Sequence, residues 1–299
     1  MPIVIRTLLL SLAATSSMAF TPARAQDPPN CPKCEQWNLS QQPFQIYGNT
    51  YYVGVRGLSS ILITSPQGHV LIDGDLAESA PKIVANIRTL GFRIEDVKLI
   101  LNSHVHYDHA GGIAQLHELS GAKVAGSPFT ARALESGRSG PDDPQYEIVP
   151  PIQKVTGVQV LQDGETLHVG TLALTAHFTP GHTPGGTTWT WQSCEKAHCL
   201  NMVYADSLSA ISADSFRFTD SKTYPTVRQD FEKSFATLNS LPCDILITPH
   251  PEISDMWERL EKRQKGDANA FVDTTACKRF AATSRENLAK RLASEAGKH

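Results

Sequence analysis

NSHVHYDHAGG, residues 102–112, brings three histidines and an aspartate (His104, His106, His109 and Asp108) within six positions. It follows directly on Val97-Lys98-Leu99-Ile100-Leu101, an apolar run with the length of a buried strand. A solvated loop rich in histidine is the bland reading. Imidazole and carboxylate are also the donors that zinc takes, and a catalytic zinc has three protein ligands with a position left for water. In a locally extended loop His104 and His106 point the same way and reach one ion. Asp108 and His109 lie beyond a bend and suit a second ion. Each ion then lacks one ligand.

Two further histidines stand where strands are expected to end, each fixed by neighbouring glycine or proline: His182 in PGHTPGG (180–186) and His250 in TPHP (248–251). They complete three plus three. The remaining six have ordinary settings: His69, His168 and His177 in strand-like segments, His117 in a helix, His198 in a cysteine loop, and His299 at the terminus. Most histidines of this kind are exposed or simply hydrogen-bonded.

Outward from this cluster the chain alternates between the two structural periods. Strands are expected at 44–47, 50–53 and 60–64, and the turn Ser65-Pro66-Gln67-Gly68 leads into another at 69–73. Ile83, Val84, Ile87 and Leu90 recur at helical spacing before Gly91, a C-cap residue. A helix follows Gly111-Gly112, then a strand at 123–125 and a short helix at 129–134. Residues 137–151, rich in Pro, Gly and Asp, suggest a mobile surface loop. A second, similar half is then expected, with strands near 158–161, 166–178, 187–191, 202–205 and 244–248, and helices over about 226–240 and from about 275. Trp189 and Trp191, two apart on one strand face, suit a core. Strands followed by βα units, twice over, imply two β-sheets packed face to face with helices outside.

Composition limits the function classes. The 299 residues carry a net charge of −3, with 40% hydrophobic and 19% charged residues. No basic field points to nucleic acid or to an anionic membrane surface. At the N-terminus, Arg6 opens a short apolar stretch and Ala23-Arg24-Ala25 has an A-x-A pattern. This implies a secretory signal over 1–25, cleaved before Gln26, a mature domain over 26–299 and a periplasmic location. Six cysteines agree with export. Cys194 and Cys199 are spaced for a bridge across a hairpin loop, and Cys243 with Cys277 would tie the last strand region to the C-terminal helix. Cys31 and Cys34 form C-P-K-C, for which a third bridge and a redox or zinc role both stay open; six cysteines allow 15 connectivities.

HVHYDH, PGHTPGG, YADSLSA and TPHP, in this order and over essentially all of the mature chain, resemble the motif series of the metallo-β-lactamase superfamily. Within it the chain resembles subclass B3 β-lactamases, which carry a serine and not a metal-binding cysteine after the YAD strand. The resemblance implies an α/β fold, the four-layer αββα sandwich. It implies two zinc ions, the first on His104, His106 and His182, the second on Asp108, His109 and His250. Two of the cysteine pairs, Cys194/Cys199 and Cys243/Cys277, also look like bridges of some B3 enzymes, whereas CPKC is not part of that pattern. Asp108, Ser207 and Ser209 would be the catalytic residues, with Ser207, Ser209 and Gln145 against substrate. Lactonases and glyoxalase II use an aspartate comparable to Asp206 to bridge both metals; in the B3 pattern it is not a ligand.

The expected activity is hydrolysis of the β-lactam amide bond of penicillins, cephalosporins and carbapenems by a zinc-bound hydroxide, conferring antibiotic resistance. Neither Ser207 nor Ser209 sits in a G-x-S-x-G nucleophile elbow. A zinc lactonase or related ester hydrolase is the alternative on the same scaffold. A secreted zinc-binding protein without catalysis is the alternative from another class, and would favour closed four-ligand sites. The partner is a small-molecule β-lactam, not nucleic acid or membrane, and the chain is expected to be a monomer.

Overall fold

The computed structural model describes residues 31–297. The expected signal segment 1–25, its cleavage point and His299 lie outside the described residues.

Seven strands form the first sheet in sequence order: β1 (Phe44–Tyr47), β2 (Thr50–Tyr52), β3 (Ile61–Ile63), β4 (His69–Ile72), β5 (Val97–Leu101), β6 (Lys123–Gly126) and β7 (Gln159–Val160). β1 to β4 are antiparallel, so no crossover helix is needed between them. β4 to β7 are parallel, so each step needs a crossover. Ala80–Thr89, Ile113–Ser120 and Pro128–Ser136 supply those helices. The second sheet has five strands in the order β12-β11-β10-β9-β8: β8 (Thr166–Val169), β9 (Leu172–Phe178), β10 (Thr187–Glu195), β11 (His198–Tyr204) and β12 (Ile245–Ile247). Only its β11–β12 pair is parallel, and the helix Val227–Ser240 makes that crossover.

Successive strand residues point to opposite faces, and here both faces are buried. Ile61, Ile63, Val70, Ile72, Leu99 and Leu101 meet Leu174, Trp189, Trp191, Met202, Ile245 and Ile247 between the sheets. Leu62, Leu71 and Ile100 face the other way, onto Ile83, Ile87, Ile113 and Leu116 of the outer helices. Val203 and Leu246 do the same on the far side, against Phe231, Phe235 and Leu288. The layers are therefore helix, sheet, sheet, helix, as the pattern implied. Fully burying one such side chain contributes about 1.5–3 kcal/mol.

Each core tryptophan also anchors a polar end. Trp189 Nε1 donates to the Asn102 carbonyl at 3.0 Å, and Trp191 Nε1 to Thr50 Oγ1 at 3.0 Å. The first bond ties the inter-sheet core to the head of the histidine loop.

Four expectations are corrected. The halves are unequal, because the strand near 158–161 joins the first sheet beside β6. The segment 166–178 breaks at Gly170, whose φ of 57° turns it into the β8–β9 hairpin. The helix Met256–Gln264 was not anticipated. Residues 137–151 are not a plain surface loop, since Ser139 and Asp143 are buried. The cysteines pair as Cys31–Cys34, Cys194–Cys199 and Cys243–Cys277.

Candidate metal centre

Loops from the ends of β5, β9, β11 and β12 converge at one edge of the sandwich. His104 and His106 lie in the β5 loop, and Asp108 and His109 on the single helical turn Tyr107–Ala110 that makes the expected bend. His182 lies in the β9–β10 turn, Ser207 and Ser209 after β11, and His250 after β12. The β9–β10 turn tolerates no side chain at Gly186, where a Cβ would collide with the Asp206 carboxylate.

A buried hub holds these loops in register. Asp73, at the end of β4 with φ 63°, accepts hydrogen bonds from Asn102 Nδ2 (2.9 Å), Ser103 N (2.7 Å), Ser103 Oγ (2.7 Å) and Tyr204 Oη (2.7 Å). One carboxylate thus ties the histidine loop to the second sheet. Burial raises its pKa, although the His109 ring and the donors from Ser103 and Tyr204 act against that.

The six residues fall into two groups, His104/His106/His182 and Asp108/His109/His250, within each of which the ligand atoms lie within 4.8 Å of one another. The groups adjoin: the His104 and His109 ring centroids are 4.5 Å apart. Asp108 Oδ2 lies 3.3 Å from His109 Nε2 and 3.5 Å from His250 Nε2.

Each ring's outer nitrogen reveals which inner nitrogen is free. A carboxylate or carbonyl only accepts, so the ring nitrogen facing it carries the proton. His104 Nδ1–H donates to Asp206 Oδ1 at 2.8 Å, which leaves the Nε2 lone pair, a buried atom without a partner. His106 Nε2–H donates to Asp143 Oδ2 at 3.0 Å and frees Nδ1. His182 Nδ1–H donates to the Ser209 carbonyl at 2.8 Å and frees Nε2. His250 Nδ1–H donates to the Gly57 carbonyl at 3.3 Å and frees Nε2. Both ring nitrogens of His109 are buried without a hydrogen-bond partner, although Nε2 lies close to the Asp108 carboxylate. Buried, unpaired polar atoms are costly unless something binds them, and these residues fit divalent zinc.

Electrostatics favours the deprotonated form of His104, His182 and Asp108, as a metal requires. Burial, then the neighbouring His109, His106 and His182 rings, lowers His104 well below the usual imidazole range. Burial, then His106, holds His182 down to about 3. Burial alone would raise Asp108, but the His109 ring and His250 outweigh it and hold this carboxyl well below its ordinary value. Burial also opposes the charged form of His106, and there the Asp143 carboxylate wins and raises the ring.

A cavity of about 930 Å³ opens over the groups, lined among others by Gln145, Ser207, Ser209 and Trp37. Gln145 Nε2 lies 3.4 Å from His182 Nε2, so this residue is brought to the site. Ser209 touches a ligand directly, its carbonyl and its Oγ (3.1 Å) both facing His182 Nδ1. Asp206 Oδ1 accepts from the outer nitrogen of His104, its Oδ2 is buried without a hydrogen-bond partner, and the residue belongs to neither group. Sequence reasoning missed Asp143, Asp73 and the carbonyl of Gly57. Asp143 had a faint signal, a polar pair inside a proline-bounded turn, and the carbonyl had none.

Two adjoining groups, one of three imidazoles and one of two imidazoles and a carboxylate, at the edge of an αββα sandwich define a metallohydrolase scaffold. The metallo-beta-lactamase superfamily profile matches residues 53–193. The solved Rm3 metallo-beta-lactamase is 57% identical with a TM-score of 0.88, over 89% of this chain and 99% of that one. MEM-A1, described as a subclass B3 metallo-beta-lactamase from a soil metagenome library, is 50% identical with a TM-score of 0.86, over 88% of this chain and 100% of that one. The chain belongs to the metallo-β-lactamase superfamily, with MEM-A1, of subclass B3, among its solved neighbours. The N-acyl homoserine lactonase AttM of Agrobacterium fabrum is more distant, at 28% identity over 175 residues, 51% of this chain and 64% of that one. The chain matches less than two thirds of the length of such curated relatives.

Proposed function

We propose that this chain is a zinc-dependent β-lactamase of subclass B3 that opens the lactam amide of penicillins, cephalosporins and carbapenems. The observation that carries the proposal is the pair of adjoining three-ligand groups whose free nitrogens converge beneath one cavity. His104, His106 and His182 would hold one zinc ion, and Asp108, His109 and His250 the other. When bound, such a pair polarises a carbonyl and makes water a competent nucleophile near neutral pH.

The chain's own residues supply the rest. Asp108, kept ionised by its neighbours, orients the second group and would pass a proton from the attacking water to the amide nitrogen released on ring opening. Ser207, Ser209 and Gln145 line the cavity where the substrate carboxylate and carbonyl would lie. Buried Asp206 and Asp143 keep the His104 and His106 rings in the ligand tautomer. No serine acyl intermediate is required.

A zinc lactonase is the second reading, favoured by the match to AttM. Against it, Asp206 belongs to neither ligand group, and its Oδ1 accepts from the outer nitrogen of His104. Three disulfides support export to an oxidising compartment, the periplasm, with residues 26–299 as the mature enzyme. Among the described residues no helix is long and apolar enough to cross a membrane. We read the enzyme as a monomer.

The test is hydrolysis of a chromogenic cephalosporin and a carbapenem by purified protein, with and without chelator. Chelation should stop turnover and zinc restore it, with two equivalents bound. Zinc-loaded protein that opened lactones and ignored every β-lactam would replace this reading with the second.

A further inference from the structure

Five of the six proposed ligands are buried, and His250 is the exception, with 27% of its side chain exposed. Its holding bond is also the longest, 3.3 Å to a main-chain carbonyl, against 2.8 to 3.0 Å for the first group. The position of Gly57 therefore decides the aim of this ring.

Gly57 is itself held by the N-terminal segment. Its N–H donates to the Trp37 carbonyl at 2.9 Å, and the N–H of Arg56 donates to the Leu39 carbonyl at 2.8 Å. The approach is close: a Cβ on Gly57 would lie 2.6 Å from Trp37 Cα. The Trp37 ring packs on His250 with centroids 5.3 Å apart. The only helical element of this segment spans four residues, Cys34–Trp37, too short to persist by itself. The Cys31–Cys34 bridge closes it, and Cys34 is buried with Val55, Leu58 and Leu76. The same bridge accepts a hydrogen bond from Tyr107, the residue before Asp108, at 3.3 Å on Cys31 Sγ.

We propose that the CPKC segment is a positioning device for the second ligand group: its disulfide seats Trp37 against Gly57, and Trp37 with Gly57 aims His250. This gives the C-P-K-C motif a role that is neither redox catalysis nor zinc ligation. It also makes occupancy of the second group depend on the bridge being closed, while Asp206, Asp143 and Ser209 hold the first group without it. The inference rests on the ligand groups proposed above.

The test uses the full mature chain in two single-site backgrounds, His182→Ala (second group alone intact) and His250→Ala (first group alone intact). Zinc retention against a competing chelator is read for Cys31→Ser/Cys34→Ser, Trp37→Ala and Gly57→Ala in each. Retention should weaken about 10-fold in the His182→Ala background, the scale seen when an outer support of a metal ligand is lost. It should stay unchanged in the His250→Ala background. Trp37→Phe, which keeps a ring on His250, should recover most of the loss. Equal weakening in both backgrounds would mean general loosening and would overturn the proposal, as would no weakening in either. A His182→Ala protein that binds no zinc with its N-terminal segment intact would instead overturn the ligand assignment beneath it. Gly57→Ala and Trp37→Ala leave all three bridges in place, so they decide the matter if the serine variant fails to fold.

Discussion

The two ligand groups are made of similar side chains but are held in different ways. His104 and His106 hang on buried carboxylates, and His182 on the Ser209 carbonyl from the loop after β11. These supports belong to the sandwich or to a loop packed on it. His250 hangs on the carbonyl of an irregular loop that is backed by the chain's first described residues. One group is supported from inside the core and the other from the edge. Chemically alike sites can therefore differ in robustness, because each inherits the stability of the backbone behind it.

Removing a ligand is the largest perturbation of this contrast. His104→Ala and His109→Ala should each lower β-lactam turnover about 10³-fold or more, since several kcal/mol of charge stabilisation is lost. Zinc analysis should show about one equivalent remaining in each case. Turnover near that of the wild type with His109→Ala would mean that the second group is not needed.

Next come the carboxylates behind the first group. Asp206→Asn and Asp143→Asn should weaken zinc retention at that group about 10- to 100-fold and leave the second group's retention in place. Chelator titration with zinc analysis separates the two. For Asp143→Asn, KM should also rise, because the Asp143 carboxylate accepts from the Gln145 N–H at 2.8 Å and so places that loop on the cavity. A change in kcat alone would break the link between loop and ligand.

Acid should act on both groups in metal-free protein. Folded His182 takes up its proton near pH 3, whereas an unfolded histidine does so near 6.5. Between those values the unfolded chain binds more protons, so stability falls as pH drops through the window. His104, lowered well below the usual imidazole range, adds to this, and the two together outweigh the opposite contribution of the raised His106. The lowered carboxyls of Asp108 and Asp143 add loss in the same direction as pH falls below their unfolded values. Melting of the apo-protein at pH 7 and pH 5 should show the lower temperature at pH 5, and equal temperatures would contradict it.

The smallest effect on the contrast should come from the C-terminal bridge. Cys243 and Cys277 are buried in the cluster with Phe231 and Phe235, against the outer face of the second sheet. Cys243→Ser/Cys277→Ser should cost about 2–5 kcal/mol of stability and leave the relative zinc affinities of the two groups alone. Denaturant unfolding and chelator titration together check both halves of that statement.

Much of this molecule was legible before folding. The runs at 61–63, 99–101 and 245–247 read as strands because burial on both faces demands continuous apolar sequence. His104, His106, Asp108 and His109 were legible because their spacing is local, and His182 and His250 because glycine and proline mark rigid turns. The short strand β7 was assigned to the wrong sheet because two residues carry no period, and pairing is decided by what lies alongside. The helix Met256–Gln264 escaped notice in a segment where only Met256 is buried.

By itself, the sequence picked out the candidate donors, the layer pattern and the Cys194–Cys199 spacing, which depend on residue type and short-range pattern, and left the pairing of Cys31 with Cys34 open. Tertiary structure decided which nitrogen of each ring is free and what holds the other. Asp143 reaches His106 across 37 positions, Asp206 reaches His104 across 102, and Gly57 reaches His250 across 193. Contacts so distant in the chain leave no periodic trace, and one partner is a main-chain carbonyl that every residue type carries. The ligands were written locally, and their aim was set only when the two sheets closed.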